Sequence, residues 1–235
     1  MDLPYDVIGD GPPVVLLTGL GLNRSSWRPV LPLLGDRWRL FTLDLPRFWD
    51  RRGGSYTVPE VAQRLANWHR AQGLPPCPWV GWSLGGQICV HLAAVPAGEV
   101  SALVLVEPSL PASFTAYSIA DMLGDMLRSP LPLWWQVLCG LWTHGFRSAV
   151  RAVRSAGDDG AFQGLLGRVA HPTLVVYGDR DGFIPARRLP ALAEAIPRAE
   201  RKVIRDAGHA VIHTHPAELA EALGEFLGRQ PGVER

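Results

Sequence analysis

Short apolar runs rich in Val and Leu recur along the chain, and stretches in which apolar residues return every three or four positions lie between them. Runs that are apolar on successive rather than alternate residues belong to strands buried on both faces. Such strands are parallel and joined by helical crossovers. Strands are predicted at 14–18, 39–43, 79–82 and 102–106, and again at 173–177 and 202–205. Between the second and the third, Val61, Leu65 and Trp68 fall at i, i+4 and i+7, with Thr57 and Glu60 ahead in capping-box spacing and Gly73 behind. This is an amphipathic helix with both ends marked. Pro216 opens a last helix that carries Leu219, Leu223 and Phe226 on one face.

The rhythm fails over residues 110–166, a helical stretch rich in Leu and Trp (Leu131, Trp134, Trp135, Leu138, Leu141, Trp142) with no strand pattern. It predicts a helical cap inserted over one end of the sheet, with 1–109 and 167–235 forming the core. The whole is an α/β fold with a mostly parallel central sheet and helices on both faces. A chain of 235 residues, 47% hydrophobic, suits one domain with a substantial core.

Charge narrows the partners. With 23 basic and 22 acidic side chains the net charge is +1, so no global field favours nucleic acid or an anionic membrane. Cys77, Cys89 and Cys139 are odd in number and far apart, which fits a reducing compartment rather than a disulfide framework. The first ten residues include Asp2, Asp6 and Asp10 and no basic apolar leader, and no apolar run reaches the ~18 residues of a membrane span. A cytoplasmic protein is expected.

The chemistry centres on Gly81-Trp82-Ser83-Leu84-Gly85, placed between a strand and the helical face Ile88, Leu92, Val95. A sharp strand-to-helix turn presents the serine hydroxyl at the sheet edge, needs small residues where strand and helix approach, and aims a helix N-terminus at a developing oxyanion. The alternative is a glycine-rich turn that merely packs a helix on a strand. A serine nucleophile also needs a base and an acid to orient it, and the order to look for is Ser, Asp or Glu, His. The strand at 173–177 runs into Gly178-Asp179-Arg180-Asp181, and the next runs into Asp206-Ala207-Gly208-His209. Both loops leave C-terminal strand ends, where α/β sheets place ligands. Asp181 competes with Asp179 and Glu107 as the acid, and His209 with His213 and His215 as the base. No motif calls for a metal or a cofactor.

Gly-Trp-Ser-Leu-Gly-Gly at 81–86, Gly-x-x-Asp-x-x-x-Pro at 178–185 and Gly-His at 208–209 together resemble the three signatures of the α/β-hydrolase superfamily. The resemblance implies Ser83 as nucleophile, His209 as base, Asp181 as the acid that orients it, and oxyanion donors at the backbone N–H groups of Leu20 and Leu84. The chain departs from the pattern at Thr18, where most relatives have His, and at Arg47, where glycine is usual. Arg47 either binds an anionic substrate group or points to solvent. With Gly-Leu-Gly-Leu-Asn at 19–23, the chain also resembles the carboxylesterases that act on the pimeloyl methyl ester of acyl carrier protein.

Trp82, Trp134, Trp135 and Trp142 are candidate substrate-binding residues, although the cap aromatics serve equally to pack the cap on the core. Arg147, Arg151 and Arg154 recur at i, i+4 and i+7. They make either a solvated helix face or a docking strip for an acidic acyl carrier protein or a CoA adduct. The expected function is hydrolysis of an ester or thioester. Acyl transfer or lactone formation with the same triad, and a non-hydrolytic ligand-binding relative, are the alternatives.

Overall fold

The computed structural model describes residues 3–45, 57–94, 98–109, 119–131, 133, 135, 138, 139, 159–184 and 189–230. Seven strands form one sheet: β1 (Tyr5–Ile8), β2 (Pro13–Leu17), β3 (Arg39–Leu43), β4 (Cys77–Trp82), β5 (Val100–Val106), β6 (Thr173–Gly178) and β7 (Ala199–Ile204). Their order is β1-β3-β2-β4-β5-β6-β7, with β1 antiparallel to β3 and every other pairing parallel. From β2 the chain turns first one way, to β3, and then the other, to β4. The carboxyl ends of β2 and β4 therefore flank a switch point, where open α/β sheets form a ligand crevice.

The helices are α1 (Leu31–Leu34), α2 (Val58–Ala71), α3 (Leu84–Ala93), α4 (Ile119–Arg128), α5 (Asp159–Leu166), α6 (Leu189–Ala195), α7 (Val211–Thr214) and α8 (Pro216–Leu227). Side chains alternate across the strands into two apolar cores. Val15, Leu17, Trp79, Leu103, Leu105 and Val175 face α2, α3, α5 and α6, while Val14, Leu16, Val80, Val104, Leu174 and Val176 face α1, α7 and α8. Burying each such side chain stabilises the fold by roughly 1.5–3 kcal/mol.

Helix α2 begins as its sequence requires. Thr57 accepts from the Glu60 N–H, and Glu60 Oε2 accepts from the Thr57 N–H at 2.7 Å. The expected strand at 14–18 shortens to Leu17, and the one at 202–205 lengthens back to Ala199. β1 is an additional edge strand. Helices α4 and α5 lie between β5 and β6, within the segment expected to form the cap. Among the described residues no helix is long and apolar enough to cross a membrane.

Candidate active site

β4 ends at Trp82, and the chain turns at once into α3. Ser83, between them, has φ 54° and ψ −118°, a left-handed conformation that costs a non-glycine residue about 1–3 kcal/mol. Neighbouring backbone holds it there: the Ser83 N–H donates to the Val106 carbonyl at 2.9 Å, and the Ser83 carbonyl accepts from the Ser109 N–H at 3.0 Å. The turn also requires its glycines. A Cβ on Gly81 would overlap the Gly85 carbonyl, one on Gly85 would stand 2.6 Å from the Thr18 oxygen, and one on Gly86 would stand 2.9 Å from Pro108 Cβ.

Three loops converge on this turn. β7 leads to His209, whose Nε2 lies 3.0 Å from Ser83 Oγ. β6 leads to Asp181, whose Oδ2 lies 2.9 Å from His209 Nδ1. Asp181 Oδ1 is fixed by the N–H groups of Phe183 at 2.7 Å and Ile184 at 2.8 Å. The structure thus brings Ser83, His209 and Asp181 into one hydrogen-bonded line. Burial works to keep His209 neutral, but the Asp181 carboxylate, joined by Asp125, prevails and raises its pKa above the usual 6.5. Burial likewise opposes the charge on Asp181, and the His209 charge and hydrogen bond prevail in lowering its pKa below 3.8.

The other candidates fall elsewhere. Asp179 Oδ1 accepts from the Asp206 N–H at 2.7 Å, which closes a turn between the two loops. His213 stacks near Trp82 with ring centroids 6.1 Å apart, and His215 Nδ1 bonds the Thr214 hydroxyl. Glu107, directly after β5, is fully buried at φ 44°, and its Oε1 accepts from the Gly178 N–H at 2.5 Å. Its Oε2 takes a hydrogen bond from no donor among the described residues. Burial, with the Asp181 charge beside it, pushes the Glu107 pKa well above its ordinary value. Both causes disfavour a charge on Glu107. Ligand atoms of Glu107, Asp181 and His209 lie within 4.8 Å of one another, a spacing that suits a metal ion. Here His209 Nδ1 and Asp181 Oδ2 are hydrogen-bonded to each other.

The oxyanion donors are expected at Leu20, in the loop after β2, and at Leu84, directly after the serine. The Leu84 N–H is the first of α3, where no intrahelical acceptor exists. The loop after β2 approaches so closely that a Cβ on Gly19 would lie 3.2 Å from Ser83 Cβ. Thr18 Oγ1 reaches the Leu22 carbonyl at 3.5 Å. Asp44 secures the far side of this loop, accepting from the Arg24 N–H at 2.7 Å and from Arg24 Nη1 at 2.6 Å.

Trp82, expected against substrate, is 1% exposed, and its indole N–H donates to the His209 carbonyl at 3.0 Å. That geometry makes it a brace for the loop that carries His209. Trp135 is 70% exposed. Arg47, Trp134, Trp142, Arg147, Arg151 and Arg154 lie outside the described residues. A surface cavity of about 550 Å³ opens instead between α1 and α8, beside Trp38 and Glu221, and none of the triad lines it.

A family model described as "Alpha/beta hydrolase family" matches residues 14–222. The chain belongs to the alpha/beta hydrolase family. Among the curated relatives of this hydrolase, the pimeloyl-[acyl-carrier protein] methyl ester esterase of Vibrio vulnificus is 27% identical, over 97% of this chain and 99% of that protein. The protein of the same name from Edwardsiella ictaluri is 32% identical, over 91% of this chain and 92% of its own. A thermophilic esterase from Thermogutta terrifontis superimposes with a TM-score of 0.79 at 22% identity, over 96% of this chain and 92% of that one, a likeness of fold. The chain is an enzyme of the hydrolase family to which those curated esterases belong.

One residue of the site carries no sequence signal. Asp125, on α4, is 1% exposed, and its Oδ2 accepts from the His209 N–H at 2.9 Å and the Gly182 N–H at 3.3 Å. In the sequence it is one acid among the Gly, Met and Leu residues of a helix, and nothing in the spacing separates it from a solvated side chain.

Proposed function

We propose that this hydrolase cleaves a carboxylic ester or thioester through an acyl-serine intermediate, with Ser83 as nucleophile, His209 as base and Asp181 as the residue that orients it. The observation that carries this reading is the unbroken chain of contacts from Ser83 Oγ to His209 Nε2 at 3.0 Å and from His209 Nδ1 to Asp181 Oδ2 at 2.9 Å. Hydrogen-bond reach between nucleophile, base and orienting acid is what general-base activation of a hydroxyl requires.

His209 takes the Ser83 proton as Oγ attacks the carbonyl carbon, and the carbonyl π pair moves onto oxygen. The N–H groups of Leu20 and Leu84 hold that oxyanion. Its collapse expels the alcohol or thiol, which leaves with the proton from His209. Water then gives a proton to His209 and attacks the acyl carbon. The second collapse releases the acid and returns the proton to Ser83.

The relatives support a substrate class, since their names put a methyl ester on an acyl carrier protein. We assign this hydrolase an apolar acyl group borne by an acidic carrier protein or by CoA, received beneath a helical cap over 110–166 and held by Arg147, Arg151 and Arg154. The buried thiols of Cys77 and Cys89, whose burial raises their pKa values, are in keeping with a reducing, cytoplasmic setting.

A panel of p-nitrophenyl esters and acyl thioesters of increasing chain length, offered free and attached to carrier protein, tests both parts. Ser83→Ala is expected to lower turnover about a million-fold on every substrate. Changing the three arginines to Glu is expected to spare short free esters and impair the carrier-linked ones. Equal loss on both kinds of substrate contradicts carrier docking, and a Ser83→Ala protein that retains turnover contradicts the nucleophile.

A further inference from the structure

Two catalytic loops, one from β6 and one from β7, meet at a side chain that belongs to neither. Asp125 Oδ2 lies 2.9 Å from the backbone nitrogen of His209 and 3.3 Å from that of Gly182, the residue after Asp181. A single carboxylate oxygen therefore ties the loop that carries the base to the loop that carries its acid. The fit is close on the other side as well. A Cβ on Gly208 would overlap Asp125 Oδ1, so the glycine before the base leaves room for this carboxylate. One turn further along α4, Arg128 Nη2 reaches the Arg180 carbonyl at 3.4 Å. Helix α4 is thus anchored to both loops, while its opposite face leaves Leu123 52% and Leu127 89% exposed.

We propose that Asp125 is a positioning residue: from the segment between β5 and β6 it holds the backbones of His209 and Gly182 together and so sets the base against both Ser83 and Asp181. This rests on the triad reading above. A carboxylate accepting backbone N–H bonds at low exposure is a rigid anchor, because charge-assisted bonds of this kind are about twice as strong as neutral ones. Small displacements of a catalytic group are costly, since a shift of about 1 Å lowers turnover on the order of 100-fold.

The role has an electrostatic signature that a merely structural one lacks. Among the described residues the titratable groups around His209 are Asp181, Asp125 and Glu107, whose pKa burial raises, with His213 beyond the Trp82 ring. The Asp125 charge is one of the causes that raise the His209 pKa. Removing that charge lowers the pH at which the base becomes protonated. The acid limb of kcat/KM then moves to lower pH.

The test is the pH profile and the separate kcat and KM of hydrolysis of p-nitrophenyl butyrate by the full chain, for wild type, Asp125→Asn, Asp125→Ala and Ser83→Ala. Asp125→Ala is expected to lower kcat about 10- to 100-fold with KM changed by less than about threefold. Asp125→Asn, which keeps the size and one acceptor oxygen, is expected to lose less. Both variants are expected to move the acid limb to lower pH. If Asp125→Ala does not fold, the Asp125→Asn profile decides alone. An unmoved acid limb in a folded Asp125→Asn protein overturns the proposal. A rise in KM with unchanged kcat overturns it too, since that marks a substrate contact. Activity that survives Ser83→Ala overturns the triad reading itself, and an active wild type with unaltered Asp125 variants overturns this inference alone.

Discussion

Two carboxyl groups beside one imidazole have opposite duties, and their surroundings decide which is which. Asp181 receives two backbone N–H bonds and faces His209, so its charge is favoured. Glu107, fully buried with the Asp181 charge nearby, has its pKa pushed well above the ordinary value instead. A group whose pKa is raised on folding contributes its stability below its unfolded value, here 4.5, and loses that contribution as pH rises through the folded value. Glu107→Gln preserves the neutral form at every pH. Its melting temperature is expected to match wild type below pH 4.5 and to exceed it increasingly above, with esterase activity retained. An alkaline loss of stability equal to that of wild type would show that Glu107 is not the buried acid. The same logic applied to His209, raised above 6.5, predicts that kcat/KM falls on the acid side with a midpoint above 6.5. Ser83, Asp181 and His209, which the structure brings into contact, were legible as candidates because each sits in a short motif tied to a strand end. Asp125 was not legible, since a carboxylate that reaches across from a separate helix leaves no spacing to read, and the raised pKa of Glu107 depends on its burial and on a neighbour 74 positions along the chain.

At the scale of elements, legibility followed burial. β2, β5 and β6 announce themselves as runs of Val and Leu, and β3 and β4 as short runs built on Leu, Phe, Trp and Val, because each is covered on both faces. β1, with Tyr5, Asp6, Val7 and Ile8 all exposed, lacks that signature and was not expected. β7 was read only from residue 202 on, because Ala199-Glu200-Arg201 is the polar start of the other edge strand. Helix α2 was readable from both its apolar stripe and its capping box. The passage from β4 to α3 depends on backbone packing, and here sequence and structure agree in detail: Gly85 lies where a Cβ would meet the carbonyl oxygens of Thr18 at 2.6 Å and Leu17 at 2.8 Å. Gly85→Ala is expected to cost roughly 1–3 kcal/mol, measured by urea unfolding, because rigid backbone on the β2 side must move. It should also lower esterase activity, since the same movement shifts the loop that carries Leu20. Unchanged unfolding and activity would mean that the turn is looser than its geometry states.

Across the whole molecule, the arrangement of the sheet turns scattered residues into a site. Ser83, Asp181 and His209 are brought together because β4, β6 and β7 run parallel and end on one edge, with the loop after β2 on the other side of the switch point. The near balance of 23 basic and 22 acidic side chains gives the surface no overall field, so recognition of a charged carrier must be local. Everything proposed for this hydrolase depends on one activated hydroxyl. The most direct measurement is labelling with a fluorophosphonate probe at neutral pH, with the modified peptide identified by mass spectrometry. Stoichiometric labelling on Ser83, abolished in Ser83→Ala and slowed in Asp181→Asn, is the predicted result. A folded protein that the probe leaves unlabelled, or labels at another serine, would contradict the account.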